Sequence, residues 1–489
     1  MLENSINTKN RQLSLLLRLA VFIVVLIAFI PFVLAARYAV FSGDDFWIIL
    51  ETFSETGSSY IVKAMQKAGH MYLYWLGDYF CNILQPLLNP LRAFSYTQLR
   101  LTLIIILMLS FAGCFYMSYE ISCSLGNRKN TIFLFALLLL PILSFRDYCA
   151  SYLWYIGSTG YQAATFLFSV SAGLTLRCLR RKNRTDMVLA CIFILLTTGC
   201  ALLVGAFAAC LLLVALAAVF AESKKVNRQL LLIFIVCVIG NIINVSAPGY
   251  YSRHGSAEAF YIFNSIYFSV VLLAKDFLFF IGKPSFLLFM FSAFILGFSC
   301  GRRFKWITVI GVFFGLIVSI IVSLFPVVLG YNFIQTSLEE LSNTHMYVLD
   351  IELIVSCEIF TGLLGSQCSA CGLGKNRTNF RKTAAVIFAC LFIAALAGIR
   401  SCIPVQIYGN LSNGKIQEYS LEWRNNYELM ANGVGQDVVI TSIPDACVGT
   451  HKVSFGSSPD SAANPNLTKY FGMNSVCDGY YYYNHNNTP

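Results

Sequence analysis

Residues 41–51, FSGDDFWIILE, set Asp44 and Asp45 side by side directly after the first long apolar run of the chain. A carboxylate at such a place can take the proton of an attacking hydroxyl, an effect worth roughly 10² to 10⁴ in rate, or can hold a divalent cation such as Mg or Mn. Neighbouring residues of an extended loop point in different directions, so one acid is expected to be the base and the other to hold the loop. Asp45 is the expected base, because Phe46 and Trp47 beside it exclude water, and Asp44, after Gly43, is expected to cap the turn. Two further loops carry cations. NVSAPGYYSRHGS, residues 244–256, breaks at Pro248 and Gly249 and presents Arg253 and His254, and FRDYCASYLWYIGSTGYQ, residues 145–162, offers Arg146 with Trp154 and Tyr155. Cations at headgroup depth suit a lipid phosphate and equally well anchor a loop. Aromatic rings stack on sugars and also serve as interfacial anchors. Between these loops, residues 58–84 repeat apolar positions at helical spacing while Lys63, Lys67, His70, Tyr74 and Asp78 fall along one line, the pattern of an amphipathic interfacial helix.

Such loops need a scaffold, and the composition supplies it. Of 489 residues, 57% are hydrophobic and only 12% charged, more apolar surface than a soluble core can bury. The expected fold is mainly α, a polytopic helical membrane protein. Measured against the ~20 residues that cross the hydrocarbon, about eleven runs qualify, at 14–36, 99–119, 131–145, 160–178, 187–199, 201–220, 229–246, 276–300, 306–326, 346–366 and 383–403. The unbroken stretch 187–220 is split at Thr197, Thr198 and Gly199 as a hairpin. The formal charge of +10 does not indicate nucleic acid here, because the basic residues cluster between apolar runs. Lys9, Arg11 and Arg18, then Arg128 and Lys129, Arg177 to Arg184, Lys224 to Arg228, Arg302 to Lys305 and Lys375 to Lys382 all fall on one side if the N-terminus is cytoplasmic. The acidic pair and everything after residue 404 then face outward. Counting 257–282 as a span would move Arg302 to Lys305 outside, so that stretch is expected to lie along the outer interface. The tail 404–489 reads as a helix ending at Gly433 or Gly435 followed by a short strand, a small outer α/β domain distinct from the transmembrane domain 1–403, whose first outer loop is 37–98. The cysteines lie mostly in the runs and read as small apolar side chains; only Cys447 and Cys477, in the tail, are placed to form a disulfide.

The outward acidic pair GDDFW, the interfacial WLGDYF, the APGYYSR loop and a tail with WRNNYE and NPNLTKYFG resemble bacterial membrane glycosyltransferases of the GT-C class, among them enzymes that glucosylate O-antigen. The resemblance implies that an acid of the first outer loop is catalytic, that the donor is a polyprenyl-phosphate sugar, that the acceptor is a surface polysaccharide and that the anomeric centre inverts. It implies Asp44 or Asp45 as base, Arg253 with His254 or Arg146 on the lipid phosphate, and Trp154 and Tyr155, with His70 and Asp78, on the sugar or acceptor. It also implies the bacterial cytoplasmic membrane as the location, with membrane lipids as neighbours. The chain departs from the family where relatives often carry Asn after the Pro-Gly pair and an acid in the hairpin 187–220. Two other classes compete: a flippase or transporter of lipid-linked saccharides, which needs ionisable residues deep in spans, and a polymerase or ligase, which calls for several arginines in a large outer loop.

Overall fold

The computed structural model describes residues 2–50, 57–252, 262–330, 343–373, 380–397, 401–461 and 463–486. The chain is mainly helical, and among the described residues six helices are long and apolar enough to cross a membrane: Gln12–Ala36, Tyr96–Ser124, Leu202–Ser223, Arg228–Val245, Ile262–Ile281 and Trp306–Gly330. Leu, Ile, Val and Phe dominate them on every face, so their outward sides are as apolar as their packed sides, as a lipid solvent requires. All but Ile262–Ile281 coincide with expected spans. Ile262–Ile281, in the stretch expected to lie along the outer interface, is one continuous helix of 20 residues whose length and hydropathy would also suffice to cross a membrane. Its buried stripe is Ser265, Ser269, Leu272, Asp276 and Phe280, and its outer face includes Phe263, Tyr267 and Leu278.

The remaining expected runs are helices outside that set. Thr131–Ser144 has 14 residues and Arg184–Thr198 has 15, short of the ~20 needed to cross alone. Ala163–Arg181, Pro284–Cys300, Asn343–Cys368 and Phe380–Ala397 complete the group. The stretch 187–220 does break where its small residues fall: Arg184–Thr198 ends at Gly199 and Leu202–Ser223 follows. At the ends carrying many of the basic residues, Arg177 pairs with Asp186 and Arg180 with Glu120.

The amphipathic stretch 58–84 forms two helices, Gly57–Tyr74 and Tyr79–Leu87, separated by a turn at 75–78. Lys67, expected on a solvated stripe, is 2% exposed and lies 4.6 Å from the Trp47 ring. The tail contains Ile403–Ser412 and Lys415–Asn432, which stops at Gly433 as expected, and strand Asp437–Ile440. Asn464–Phe471 then carries the chain over to strand Ser475–Asp478, which lies parallel to Asp437–Ile440 with Val439 opposite Cys477. Cys447 and Cys477, the one pair placed to form a disulfide, are both free thiols. Trp423, Tyr427 and Leu467 of the tail share one continuous apolar core with Phe41, Phe46 and the first helix. Residue 404 is therefore not a packing boundary.

Candidate active site

Asp44 and Asp45 lie in the first turn of the short helix Gly43–Ile49, where unsatisfied N–H groups and the positive end of the helix favour acids. Ser42 is the N-cap and Asp45 the third helical residue, the spacing of a capping box. The Ser42 N–H donates to Asp45 Oδ2 at 2.8 Å, while the Ser42 hydroxyl accepts the Ser454 N–H at 2.9 Å. Asp45 is 0% exposed. Its carboxyl also faces the Trp154 side chain and the Ile156 backbone, with Oδ1 and Trp154 Nε1 short of a hydrogen bond. Burial holds Asp45 well above the usual carboxylate range, and the Ser42 N–H opposes that rise. Asp44 is half-buried and accepts the Ser454 hydroxyl at 3.1 Å; burial raises it too, against the pull of that bond. The capping place expected of Asp44 is taken by Asp45. Asp45 is the capping residue, because it stands three residues after Ser42, and Asp44 is the acid that reaches toward solvent.

The tail holds this helix in place. A Cβ on Gly43 would lie 2.3 Å from the Ser454 carbonyl oxygen and 2.5 Å from Ala463 Cβ, so only glycine admits the approach. Tyr427 donates to the Phe41 carbonyl at 2.8 Å. Phe46 is buried among Tyr427, Tyr470 and Phe471, with ring centroids 4.9 to 5.6 Å away; it anchors the tail and does not shield the acid. Trp47 is half-buried against Trp75 at 5.0 Å. Asn89, just beyond Tyr79–Leu87, donates to the Asp45 carbonyl at 3.1 Å.

Asp78 sits at the other end of that helix, in a second polar cluster. Asn244 donates to Asp78 at 3.1 Å and to the Thr198 carbonyl at 2.7 Å, and Tyr250 donates to Asn244 at 3.0 Å. Phe80 N–H donates to the Gly199 carbonyl at 2.8 Å. A Cβ on Gly77 would lie 1.9 Å from the Asn244 carbonyl oxygen. Burial pushes Asp78 up to about 7, against hydrogen bonds from Asn244, Tyr250 and the Leu202 backbone. The turn at 75–78, the break at 199–201 and the APGYYS segment therefore meet at one carboxyl.

The other expected residues are placed differently. Arg146 Nη1 lies 2.7 Å from both Asp276 and Asp350, and Tyr148 bonds to Asp350 as well, so its charge is committed inside the protein and not offered to a donor phosphate. Tyr155 is 0% exposed and donates to the Gln85 carbonyl at 2.9 Å, which removes it from sugar stacking. Trp154 is half-buried beside Asp45. His70 is exposed with its ring 4.7 Å from Tyr74. Arg253 and His254 lie outside the described residues. Sequence reading missed the acids of Asn343–Cys368: Asp350 and Glu352 are buried, Ser323 donates to Glu352 at 2.6 Å, and Glu358 lines an apolar cavity of about 460 Å³. The signal was their presence in a run otherwise apolar enough to be read as a span.

Asp45 turns to Ser42 and Trp154 while Asp44 turns to Ser454, so the pair does not present a joint chelate to Mg or Mn. Among the described residues no group of three or more His, Cys, Asp or Glu is placed to hold a metal ion. No family model, curated protein or solved structure matches this chain.

Proposed function

We propose that the chain is a membrane glycosyltransferase that moves a sugar, glucose in the first instance, from a polyprenyl-phosphate donor to a surface polysaccharide such as O-antigen. The reaction takes place on the outer face of the bacterial cytoplasmic membrane. The observation that carries this reading is the joint at Asp44: a half-buried acid with a raised pKa, on a helix N-terminus fixed by the tail, beside a capped and buried second acid. A raised carboxyl is a better base near neutral pH. In this reading Asp44 takes the proton of an acceptor hydroxyl as that oxygen bonds to the anomeric carbon. The bond from that carbon to the phosphate oxygen breaks on the opposite face, its electrons leave with the lipid phosphate, and the centre inverts. Arg253 and His254 are the proposed phosphate partners from the APGYYSR loop. Membranes carrying the chain, supplied with a panel of radiolabelled polyprenyl-phosphate sugars and lipopolysaccharide, should label the polysaccharide with one of them; no transfer from any would count against the reading.

The carboxylates buried among the helices, Asp276, Asp350 and Glu352, favour a second reading, a transporter of lipid-linked saccharides, since intramembrane ionisable groups mark ion and substrate paths. Glu352→Gln separates the two. It leaves transfer unchanged in an enzyme whose chemistry is at Asp44 and stops movement across vesicles in a transporter coupled through that helix.

A further inference from the structure

The cavity of about 460 Å³ beside Glu358 is walled by Leu137, Phe168, Leu211, Leu296 and Leu363, from the helices Thr131–Ser144, Ala163–Arg181, Leu202–Ser223, Pro284–Cys300 and Asn343–Cys368. Its volume falls within the roughly 300 to 1,000 Å³ of small-molecule pockets. Three hydroxyls on its wall are already spent inside the protein. Ser171 donates to the Ala190 carbonyl at 3.3 Å, Thr175 to the Ser171 carbonyl at 2.8 Å and Ser366 to the Arg302 carbonyl at 2.9 Å. Glu358 receives none of them. Its Oε1 is buried and has no hydrogen-bond partner among the described residues, and the ion pairs of those residues do not include it. Arg302 and Cys300 are the other titratable groups on the wall. Arg302 is exposed, its guanidinium carbon 5.6 Å from the Phe304 ring, and its backbone is bonded to Ser366, roughly 12 Å along the helix from Glu358. Arg302 therefore marks one end of the cavity, and the acid within it has no counter-charge. An ionised carboxylate in apolar surroundings is costly unless a cation meets it.

We propose that this cavity is a binding site for a hydrophobic amine, a single-chain ammonium whose charged group meets Glu358 and whose apolar body lies against the leucine and phenylalanine walls. Charge complementarity selects the occupant: the one unpaired charge within the walls is negative, and an ammonium brings both a positive charge and the N–H donors that Oε1 lacks. The distance from Ser366 to Glu358 separates the site from a headgroup amine held at the protein's surface, since the ammonium and part of its chain must both lie inside. The site shares no residue with the acidic pair or with the loop at 244–256, so it stands whether or not the chain transfers sugar at Asp44.

Full-length protein in detergent would be titrated at neutral pH by native mass spectrometry with dodecylamine, with dodecan-1-ol and with dodecanoic acid. Dodecylamine should bind at one saturable site, and the alcohol and the acid, with the same chain, should bind about tenfold or more weakly. Glu358→Gln keeps the size of the side chain without its charge and should weaken dodecylamine by about tenfold or more while leaving the alcohol as it was. Dodecan-1-ol or dodecanoic acid binding as tightly as dodecylamine would overturn the selection for a cation. A folded Glu358→Gln protein with unchanged affinity for dodecylamine would overturn the site. Should Glu358→Gln fail to fold, Ala215→Phe carries the test, because it narrows the cavity with the acid in place; it should weaken dodecylamine, and unchanged binding would overturn the proposal.

Discussion

At Asp78 a single carboxyl carries a pH dependence whose sign can be worked out. Its pKa in the folded chain is about 7, above the roughly 3.9 of an unfolded Asp, so the folded state holds the proton more tightly. The stabilisation this gives is complete below about pH 4 and is lost as pH rises through about 7. Unfolding temperatures in detergent should fall between about pH 5 and about pH 8, and Asp78→Asn should flatten that fall; an unaltered slope would mean that Asp78 is ionised throughout. Asp45 obeys a different rule. Its Oδ2 accepts the Ser42 N–H, and the amide oxygen of Asp45→Asn can do the same, whereas Asp45→Ala loses the cap at a cost of about 1 kcal/mol. Thermal unfolding should rank Asp45→Asn close to the unsubstituted chain and Asp45→Ala below it; the opposite ranking would show that the capping bond is unimportant. At Arg146, two carboxylates share one guanidinium, and removing a partner from a buried pair is costly. Arg146→Gln should therefore lower stability by about 3 kcal/mol or more, seen as reduced membrane levels of the protein, while a stable variant would return Arg146 to the surface.

The helix Gly43–Ile49 works only as part of a joint between two distant segments. Gly43→Ala would drive a methyl group into the Ser454 carbonyl and Ala463, and should loosen the tail without unfolding the helices. Limited proteolysis should then cut within 404–489 in the variant and spare it in the unsubstituted chain; equal resistance would show that the contact is dispensable. Much of this element scale was legible in advance. The break at Gly199 and the end of the tail helix at Gly433 each follow from small residues at helix ends, whereas the acidic pair, expected on an extended loop, stands in the first turn of a helix. The capping place of Asp45 was legible too, in Ser42 standing three residues before it. Burial was not legible: the polar line of 58–84 gave no sign that Lys67 would turn onto Trp47 or that the helix would break before Asp78, because a neighbouring element decides which side of a helix stays wet. Nor could spacing reveal that Arg146 would meet Asp276 and Asp350, since those contacts join segments more than a hundred residues apart.

For the whole molecule, the charge pattern and the helices make separable statements about the membrane. Among the described residues six helices have spanning length and hydropathy, and the proposed orientation puts the tail and the acidic pair together on the outer face. Because Ser454 is bonded to Ser42 and Asp44, those two parts must share a side. Alkaline phosphatase fused after Pro404 should be active and a fusion within Arg302–Lys305 inactive; the reverse pattern would invert the molecule and remove the outer acceptor. The central claim, that Asp44 is the base of a sugar transfer, is tested most directly by comparing Asp44→Asn and Asp45→Asn in membranes supplied with the labelled polyprenyl-phosphate sugar that the unsubstituted chain uses. Asn keeps the size of Asp but cannot take a proton at neutral pH, so the account predicts that Asp44→Asn loses transfer by roughly 10² or more at unchanged membrane levels, with Asp45→Asn retaining most of it. Near-normal transfer by Asp44→Asn, at equal protein levels, would contradict the account.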